Sequence, residues 1–320
     1  PGGVVFGRSM TQLTYDLARA LAQQWRPGDE VVVTRLDHDA DIRPWVSAAE
    51  AAGATVRWVD FDPRSAELLF DPSVLSGCTR LVAVTGASNL LGTRPDVRAI
   101  ADAAHAVGAL VFVDGVHLTP HAPVDVAALG ADVFACSPYK FFGPHCGVLA
   151  AAPALLETIH PDKLLPSTDR VPERFELGTL PYELLAGVTA AVDVIADLAP
   201  SEGDRRTRVL TSMAAVEAHE DALFERLLSG LHDLDRVRTY GAPARRTPTV
   251  LFEVEGSTPT AVYEHLATRG VNAPASSFYA LEASRWIGLG DTGAVRAGLA
   301  PYTSADDVDR LLAGVAEIAR

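Results

Sequence analysis

Two short apolar runs, Leu110–Asp114 and Asp132–Cys136, constrain the fold of this chain more than any other feature. Each has the length and composition of a buried strand in a parallel sheet, and polar side chains follow each one directly. These polar residues are Asp114 and His117 after the first run, and Ser137, Tyr139 and Lys140 after the second. Because ligands bind beyond the carboxyl ends of strands in open α/β sheets, we expect these residues to meet at one site.

A carboxylate and a lysine at such a site suit pyridoxal 5'-phosphate (PLP). Asp114 would keep the pyridine nitrogen protonated, which makes the ring an electron sink, and Lys140 would carry the aldehyde as a Schiff base. The alternative is a surface lysine after a strand and an aspartate that caps a turn. The ordered set of Asp, His, Ser and Lys, followed by Gly-Pro, favours the cofactor.

The segment VDGVHLTPHAPVDVAALGADVFACSPYKFFGPHCGVL resembles the lysine-bearing segment of fold type I PLP enzymes, in the class V aminotransferase and cysteine desulfurase group. The resemblance extends over nearly the whole chain and is densest at 28–45, 80–150 and 173–187. It implies an α/β fold with a mainly parallel seven-stranded large domain over residues 1–200. A smaller α+β domain would follow over 201–320, after the turn at residues 200–203.

Strand and helix patterns alternate along the chain, and the absence of GxGxxG argues against a dinucleotide fold. The predicted strands, besides the two above, are Val4–Phe6, Glu30–Arg35, Thr55–Asp60, Arg80–Thr85, Pro248–Val254 and Ala294–Ala300. The predicted helices are Thr11–Trp25, Ser47–Ala52, Pro95–Val107, Pro153–Ile159, Leu184–Leu198, Arg205–His232, Thr258–Arg269 and Ser304–Ile318.

The first strand, a turn of small residues and the helix that follows make a ready phosphate site, because free backbone N–H groups and the helix dipole favour an anion. The resemblance implies that Met10 and Thr11 in this turn, together with Ser137, hold the cofactor phosphate. Of the three turn residues 9–11, only Thr11 matches the family cleanly.

Further roles are implied by the resemblance alone. His38 would stack on the PLP ring and relay protons, Asn89 and His117 would tune the ring oxygen, and Tyr139 replaces a family histidine beside the lysine. Arg296 would hold the α-carboxylate of an amino acid through two parallel donors. Thr179, in the segment RFELGTLPYELLAG, would reach the phosphate of a neighbouring subunit, which implies a homodimer with shared active sites.

Cysteine desulfurases carry a mobile cysteine in a loop before the arginine strand, and the matching stretch 271–293 has none. We therefore expect a PLP-dependent enzyme that acts on an amino acid without desulfurase activity, with Lys140 and His38 as catalytic residues. Transamination, β-elimination by a C–S lyase and epimerisation all stay open. So does a regulatory protein that binds the cofactor without turnover.

The net charge of −14 argues against nucleic-acid or anionic-membrane partners. Three scattered cysteines predict neither a disulfide framework nor a metal site, and a reducing cytoplasm is the default. The chain begins PGGVVFGRSM, without an initiator methionine or the basic region of a signal peptide. Related proteins carry a segment before this point, so the chain is either a fragment or an unusually short member.

Overall fold

The computed structural model describes residues 2–319. Its strands are β1 (Val4–Gly7), β2 (Glu30–Thr34), β3 (Thr55–Val59), β4 (Thr79–Thr85), β5 (Leu110–Asp114), β6 (Val133–Cys136), β7 (Gly147–Ala151), β8 (Val237–Tyr240), β9 (Thr249–Val254), β10 (Ala275–Ser276) and β11 (Ala294–Gly298). Its helices are α1 (Met10–Ala22), α2 (Arg43–Ala52), α3 (Val97–Ala106), α4 (Val126–Leu129), α5 (Pro153–Thr158), α6 (Tyr182–Ala196), α7 (Arg205–His232), α8 (Pro259–Thr268), α9 (Leu281–Trp286) and α10 (Ala305–Ile318).

Seven strands form the large sheet, in the order β1-β7-β6-β5-β4-β2-β3. All neighbours from β6 to β3 pair in parallel, whereas β7 pairs antiparallel with both β6 and β1. The predicted mainly parallel seven-stranded sheet is therefore confirmed. The parallel strands end at one edge of the sheet, where Thr85 of β4 lies opposite Asp114 of β5.

Alternate residues of the central strands supply the two faces of this sheet, as the period of two in a strand requires. On one face, Val31 and Val33 pack with apolar residues of α1 and α2. On the other face, Val32 packs with α3 and with residues of α6 and α7. Helices thus cover both faces, and this explains why these strands consist almost entirely of apolar residues.

The second sheet is antiparallel and has four strands, in the order β10-β11-β9-β8. Helices α8, α10 and the second half of α7 pack against it around Phe252 and Val295. The first half of α7 contributes Met213 and Val216 to the core of the large sheet. One helix thus takes part in the cores of both sheets, and a domain division at residue 200 stays a prediction.

Several boundaries differ from the sequence-based prediction for local reasons. α1 ends at Ala22 instead of Trp25, ahead of Pro27. α2 begins at Arg43 and not at Ser47, because Pro44 occupies the first helical turn, where its missing N–H has no cost. The short strands β7, β8 and β10 were not predicted as separate strands. Among residues 2–319, no helix is both long and apolar enough to cross a membrane.

Candidate active site

A cavity of about 530 Å³ lies at the carboxyl ends of β4, β5 and β6, facing the small sheet. The structure brings ten of the eleven predicted site residues together around it: Met10, Thr11, His38, Asn89, Asp114, His117, Ser137, Tyr139, Lys140 and Arg296. Thr179 does not line the cavity and is exposed to solvent. The cavity also has five larger lining residues that the sequence did not indicate, namely Tyr15, Asp39, Arg43, Phe278 and Tyr279.

Asp114 is the last residue of β5 and is 3 % exposed. Its Oδ1 accepts the backbone N–H of Val116 at 2.8 Å. Burial raises the pKa of Asp114 to about 7, although this hydrogen bond and the charge of Lys140 act in the opposite direction. Close strand packing fixes the carboxylate, because a Cβ on the next residue, Gly115, would lie 1.9 Å from the Phe134 ring.

Lys140 lies on a short 3-10 helix, Pro138–Phe141, directly after β6. Burial and the positive charge of Arg296 lower the pKa of Lys140, and the charge of Asp114 opposes this shift. The lowered pKa increases the fraction of neutral amine, which is the nucleophilic form. Its Nζ lies 5.1 Å from the centre of the Tyr139 ring, and Tyr139 stacks on His145 at 4.8 Å.

His38 lies at the entry of a 3-10 turn after β2. Burial, with the charges of Lys140 and Arg296, lowers the pKa of His38 to about 4, so the ring is neutral at neutral pH. Its Nδ1 accepts the backbone N–H of Ala40 at 3.0 Å. The neutral ring therefore carries its hydrogen on Nε2. Tyr279 stacks on this ring at 5.6 Å.

Arg296 extends from β11 into the cavity. Its Nη1 donates to the backbone oxygen of Asn89 at 2.7 Å, and its guanidinium carbon lies 4.0 Å from the centre of the Phe278 ring. No ion pair to a carboxylate is formed by Arg296 within residues 2–319. Burial lowers the pKa of this arginine to about 10. A half-buried guanidinium that lines a cavity without an anionic partner is suited to bind a carboxylate.

The amino end of α1 lies at the same cavity and is suited to bind an anion. Ser9 caps the helix through Gln12 N, and the N–H of Leu13 donates to Ser9 O at 3.1 Å. The first two N–H groups of the helix, those of Met10 and Thr11, have no such partner in the described chain. Gly147 of β7 permits the close approach, since a Cβ there would lie 2.4 Å from Met10 N.

These side chains fit PLP. The helix end suits its phosphate, Asp114 suits its pyridine nitrogen, and Lys140 suits its aldehyde. One observation is independent of these roles: Oδ1 of Asn89 is buried without a hydrogen-bond partner, while its Nδ2 donates to Phe278 O at 2.9 Å. Because an amide oxygen can only accept, the second hydrogen on Nδ2 is the group with which Asn89 could donate to the ring oxygen of PLP.

Comparison with known proteins identifies the class to which this fold and site belong. The aminotransferase class-V family model matches residues 2–311, and the chain belongs to this family. It is therefore a PLP-dependent enzyme, a transferase or a lyase.

Individual relatives carry two kinds of name. The aminotransferase-like protein FGM3 of Gibberella zeae is 35% identical over 330 residues, which cover 97% of this chain and 77% of that protein. The cysteine desulfurase of Dickeya dadantii is 32% identical over 332 residues, covering 99% and 77%. Among solved structures, the cysteine desulfurase CsdA of Escherichia coli superimposes with a TM-score of 0.86 at 26% identity, covering 98% of this chain and 78% of CsdA.

Proposed function

We propose that this enzyme binds an α-amino acid through Arg296, acts on the bonds at its Cα, and does not work as a cysteine desulfurase. The observation that carries the proposal is the half-buried guanidinium of Arg296, which has no carboxylate partner among residues 2–319 and faces the same cavity as Lys140. A substrate carboxylate would supply the missing anion and would place the amino group toward the large sheet.

When bound, PLP supplies an electron sink for the bond that breaks at Cα. The residues of the chain do the rest. Asp114 would hold the proton of the pyridine nitrogen, and Lys140 Nζ would accept or return a proton at Cα, a role for which its lowered pKa suits it. His38, neutral and protonated on Nε2, presents a donor and a stacking face.

The cysteines support a function other than desulfuration. Burial raises the pKa of Cys136 to about 12 and also raises that of Cys146, so both thiols stay protonated and are poor nucleophiles. Cys78 is exposed, but it lies directly before β4, at the end of the strand opposite the cavity. Because this strand has seven residues, Cys78 is roughly 20 Å from the cavity edge. Residues 271–293, where desulfurases carry their cysteine, contain none.

Product analysis tests the proposal directly. Purified protein with added PLP is incubated with a panel of L-amino acids and S-substituted L-cysteines. We expect turnover of at least one of them to a keto acid, an elimination product or the D-enantiomer, and no protein-bound persulfide from free L-cysteine. A persulfide trapped on Cys136 or Cys146 would contradict the proposal.

A homodimer with shared active sites belongs to the same proposal. Thr179 is exposed in this single chain, and two apolar residues close to it in the sequence are also exposed, Leu177 at 52% and Tyr182 at 68%. Covering such side chains with a second copy removes apolar surface from water. Light scattering that shows a stable, fully active monomer would refute this part. The cytoplasmic location expected from the unpaired cysteines stays a prediction.

A further inference from the structure

His117 connects the two sheets at the cavity wall. It follows β5 of the large sheet, yet its Nε2 lies 3.0 Å from Oγ1 of Thr249, the first residue of β9, and 3.1 Å from Oγ1 of Thr247, just before that strand. Both threonines are almost completely buried, at 1% and 2% exposure. Two buried hydroxyl groups from the small sheet thus meet one ring nitrogen of a residue on the large sheet.

The other ring nitrogen, Nδ1, has no hydrogen-bond partner among residues 2–319 and is not enclosed by protein. Because His117 lines the cavity, Nδ1 is the nitrogen available to a ligand there. Burial, together with the charges of His121, Arg296 and Lys140, lowers the pKa of His117 well below its usual value. The ring is therefore neutral and carries one hydrogen, on either Nε2 or Nδ1.

Hydrogen-bond accounting decides between the two tautomers. The hydroxyl of Thr247 donates to Gly92 O at 3.3 Å, whereas that of Thr249 has no acceptor among the described residues other than His117 Nε2. If Nε2 carried the hydrogen, the buried Thr249 hydroxyl would be a donor without an acceptor, which is unfavourable away from water. If Nε2 accepts from Thr249, both hydroxyl hydrogens are satisfied.

We propose that Thr249 is a positioning residue that fixes His117 as the Nδ1–H tautomer, so that His117 donates a hydrogen bond into the cavity, to the ring oxygen of PLP. The proposal extends the function proposed above by naming a residue outside the cavity that controls the cofactor. Thr249 is also linked to Arg296, because β9 pairs with β11, the strand that carries this arginine. Thr249 pairs with Gly298, and Leu251, two residues further along β9, pairs with Arg296. The position of the small sheet therefore governs carboxylate binding and the donor to the cofactor together.

The surroundings of His117 fix the design of the test. The His121 ring lies 5.0 Å away in an edge-to-face arrangement, and its Nδ1 lies 2.9 Å from Oε2 of Glu220, which is fully buried. His121 and Glu220 are therefore kept unchanged in all variants. The variants are Thr249→Val, which replaces the hydroxyl by a methyl group, and Thr249→Ser, which keeps the hydroxyl and removes the methyl group. Thr239→Val is a matched control. Thr239 lies in β8 of the same sheet but away from the cavity, and its Oγ1 likewise contacts a histidine, at 3.1 Å from Nε2 of His232.

Nitrogen-15 NMR of the histidine rings, recorded without cofactor, reads the tautomer directly. We expect His117 to be protonated on Nδ1 in the parent protein and in Thr249→Ser, and to shift towards Nε2–H in Thr249→Val, with Thr239→Val unchanged at His117. A parent protein with Nε2–H, or a Thr249→Val variant with unchanged tautomer, overturns the proposal. If the valine variant does not fold, the parent spectrum decides.

A second readout uses the visible band of the protein loaded with PLP. Loss of a donor to the ring oxygen should raise the pH midpoint of this band by up to about one unit, the equivalent of one hydrogen bond. Thr249→Ser and Thr239→Val should stay at the parent value, and an unshifted Thr249→Val would overturn the proposal. Absence of any band in the parent protein would instead refute the cofactor assignment, while the NMR result still decides the role of Thr249.

Discussion

Replacing Asp37 by Asn should make the protein more stable, and more so as the pH rises. Asp37 and Asp41 are both completely buried below the cavity, and their side chains are within hydrogen-bonding distance of each other. Asp37 Oδ1 and Asp41 Oδ2 have no hydrogen-bond partner, and no cationic side chain pairs with either carboxyl group among residues 2–319. Two buried carboxyl groups in contact cannot both ionise cheaply.

The magnitude follows from the pKa of Asp37. Burial raises the pKa of Asp37 from 3.8 to about 8, although the hydrogen bonds from Thr34 and Asp41 oppose the shift. Since one pKa unit corresponds to about 1.4 kcal/mol, the upper limit of the cost at pH 8 is about 6 kcal/mol, and we expect about 2–3 kcal/mol once Asp41 readjusts. Asn at this position still accepts the Thr34 hydroxyl and gives Asp41 a donor.

The sign of the pH dependence is fixed by the direction of the shift. A carboxyl group with a raised folded-state pKa lowers the stability progressively as the pH rises from 3.8 towards 8. The advantage of Asp37→Asn should therefore be small at pH 4 and reach its full value near pH 8. Urea unfolding followed by tryptophan fluorescence measures it at each pH.

Asp29→Asn is the matched control with the opposite sign. Asp29 is also buried, but its Oδ1 pairs with Arg80 at 2.8 Å, and this hydrogen bond lowers the pKa of Asp29. The Asn variant should lose stability at neutral pH, and this loss should fade as the pH falls below 3.8. An Asp37→Asn variant whose gain is independent of pH, or largest in acid, would refute the account of the buried pair.

Three further outcomes are expected. Lys140→Ala should abolish the borohydride-reducible link to PLP and the visible band, as measured by absorption and mass spectrometry, while a retained link would place the reactive lysine elsewhere. Arg296→Lys should weaken binding of amino acids to the loaded protein by roughly tenfold to a hundredfold, because a lysine cannot form the two parallel hydrogen bonds that an arginine forms with a carboxylate. Spectral titration with an amino acid measures this loss, and titration with the corresponding amide, which has no carboxylate, is the control. Cys146→Ser should leave turnover of the substrate largely unchanged in a product assay, because Cys146 is buried with a raised pKa; loss of sulfide release alone would restore the desulfurase interpretation.

The sequence predicted most of the sheet and the large-sheet half of the site. Runs such as Val31–Val33 are apolar on both faces, which only a buried parallel strand requires, and the polar residues after β5 and β6 follow directly from that assignment. Asp114 and Lys140 could be found in this way because strand order within a parallel sheet brings the carboxyl ends together.

The parts that the sequence did not predict depend on one contact between distant segments and on one local turn. Arg43 lines the cavity because Asp39 and Glu282 orient its guanidinium, and Glu282 lies more than two hundred residues away. The contact between Asp37 and Asp41 depends on the 3-10 turn that folds one carboxyl group over the other. Neither arrangement leaves a periodic signal in the sequence.

The turn at Phe278 and Tyr279 gives the strongest structural support for the proposal that this enzyme does not work as a desulfurase. Both residues have positive φ angles, of 52° and 57°, a conformation that costs about 1 kcal/mol or more for a side chain of this kind. Two hydrogen bonds hold the turn in place: Asn89 Nδ2 donates to Phe278 O at 2.9 Å, and Asp39 N donates to Tyr279 O at 2.7 Å.

This turn lies in residues 271–293, the stretch for which the resemblance to desulfurases implies a cysteine on a mobile loop. Here its aromatic rings cover Arg296 and His38, so the turn forms a wall of the cavity. A segment that is fixed at both carbonyl groups and stacked on two site residues is suited to shape a pocket for an amino acid. It is poorly suited to swing outward and pass sulfur to a partner. Placing a cysteine at 276 or 277 should therefore fail to create desulfurase activity unless the hydrogen bonds from Asn89 and Asp39 are also released.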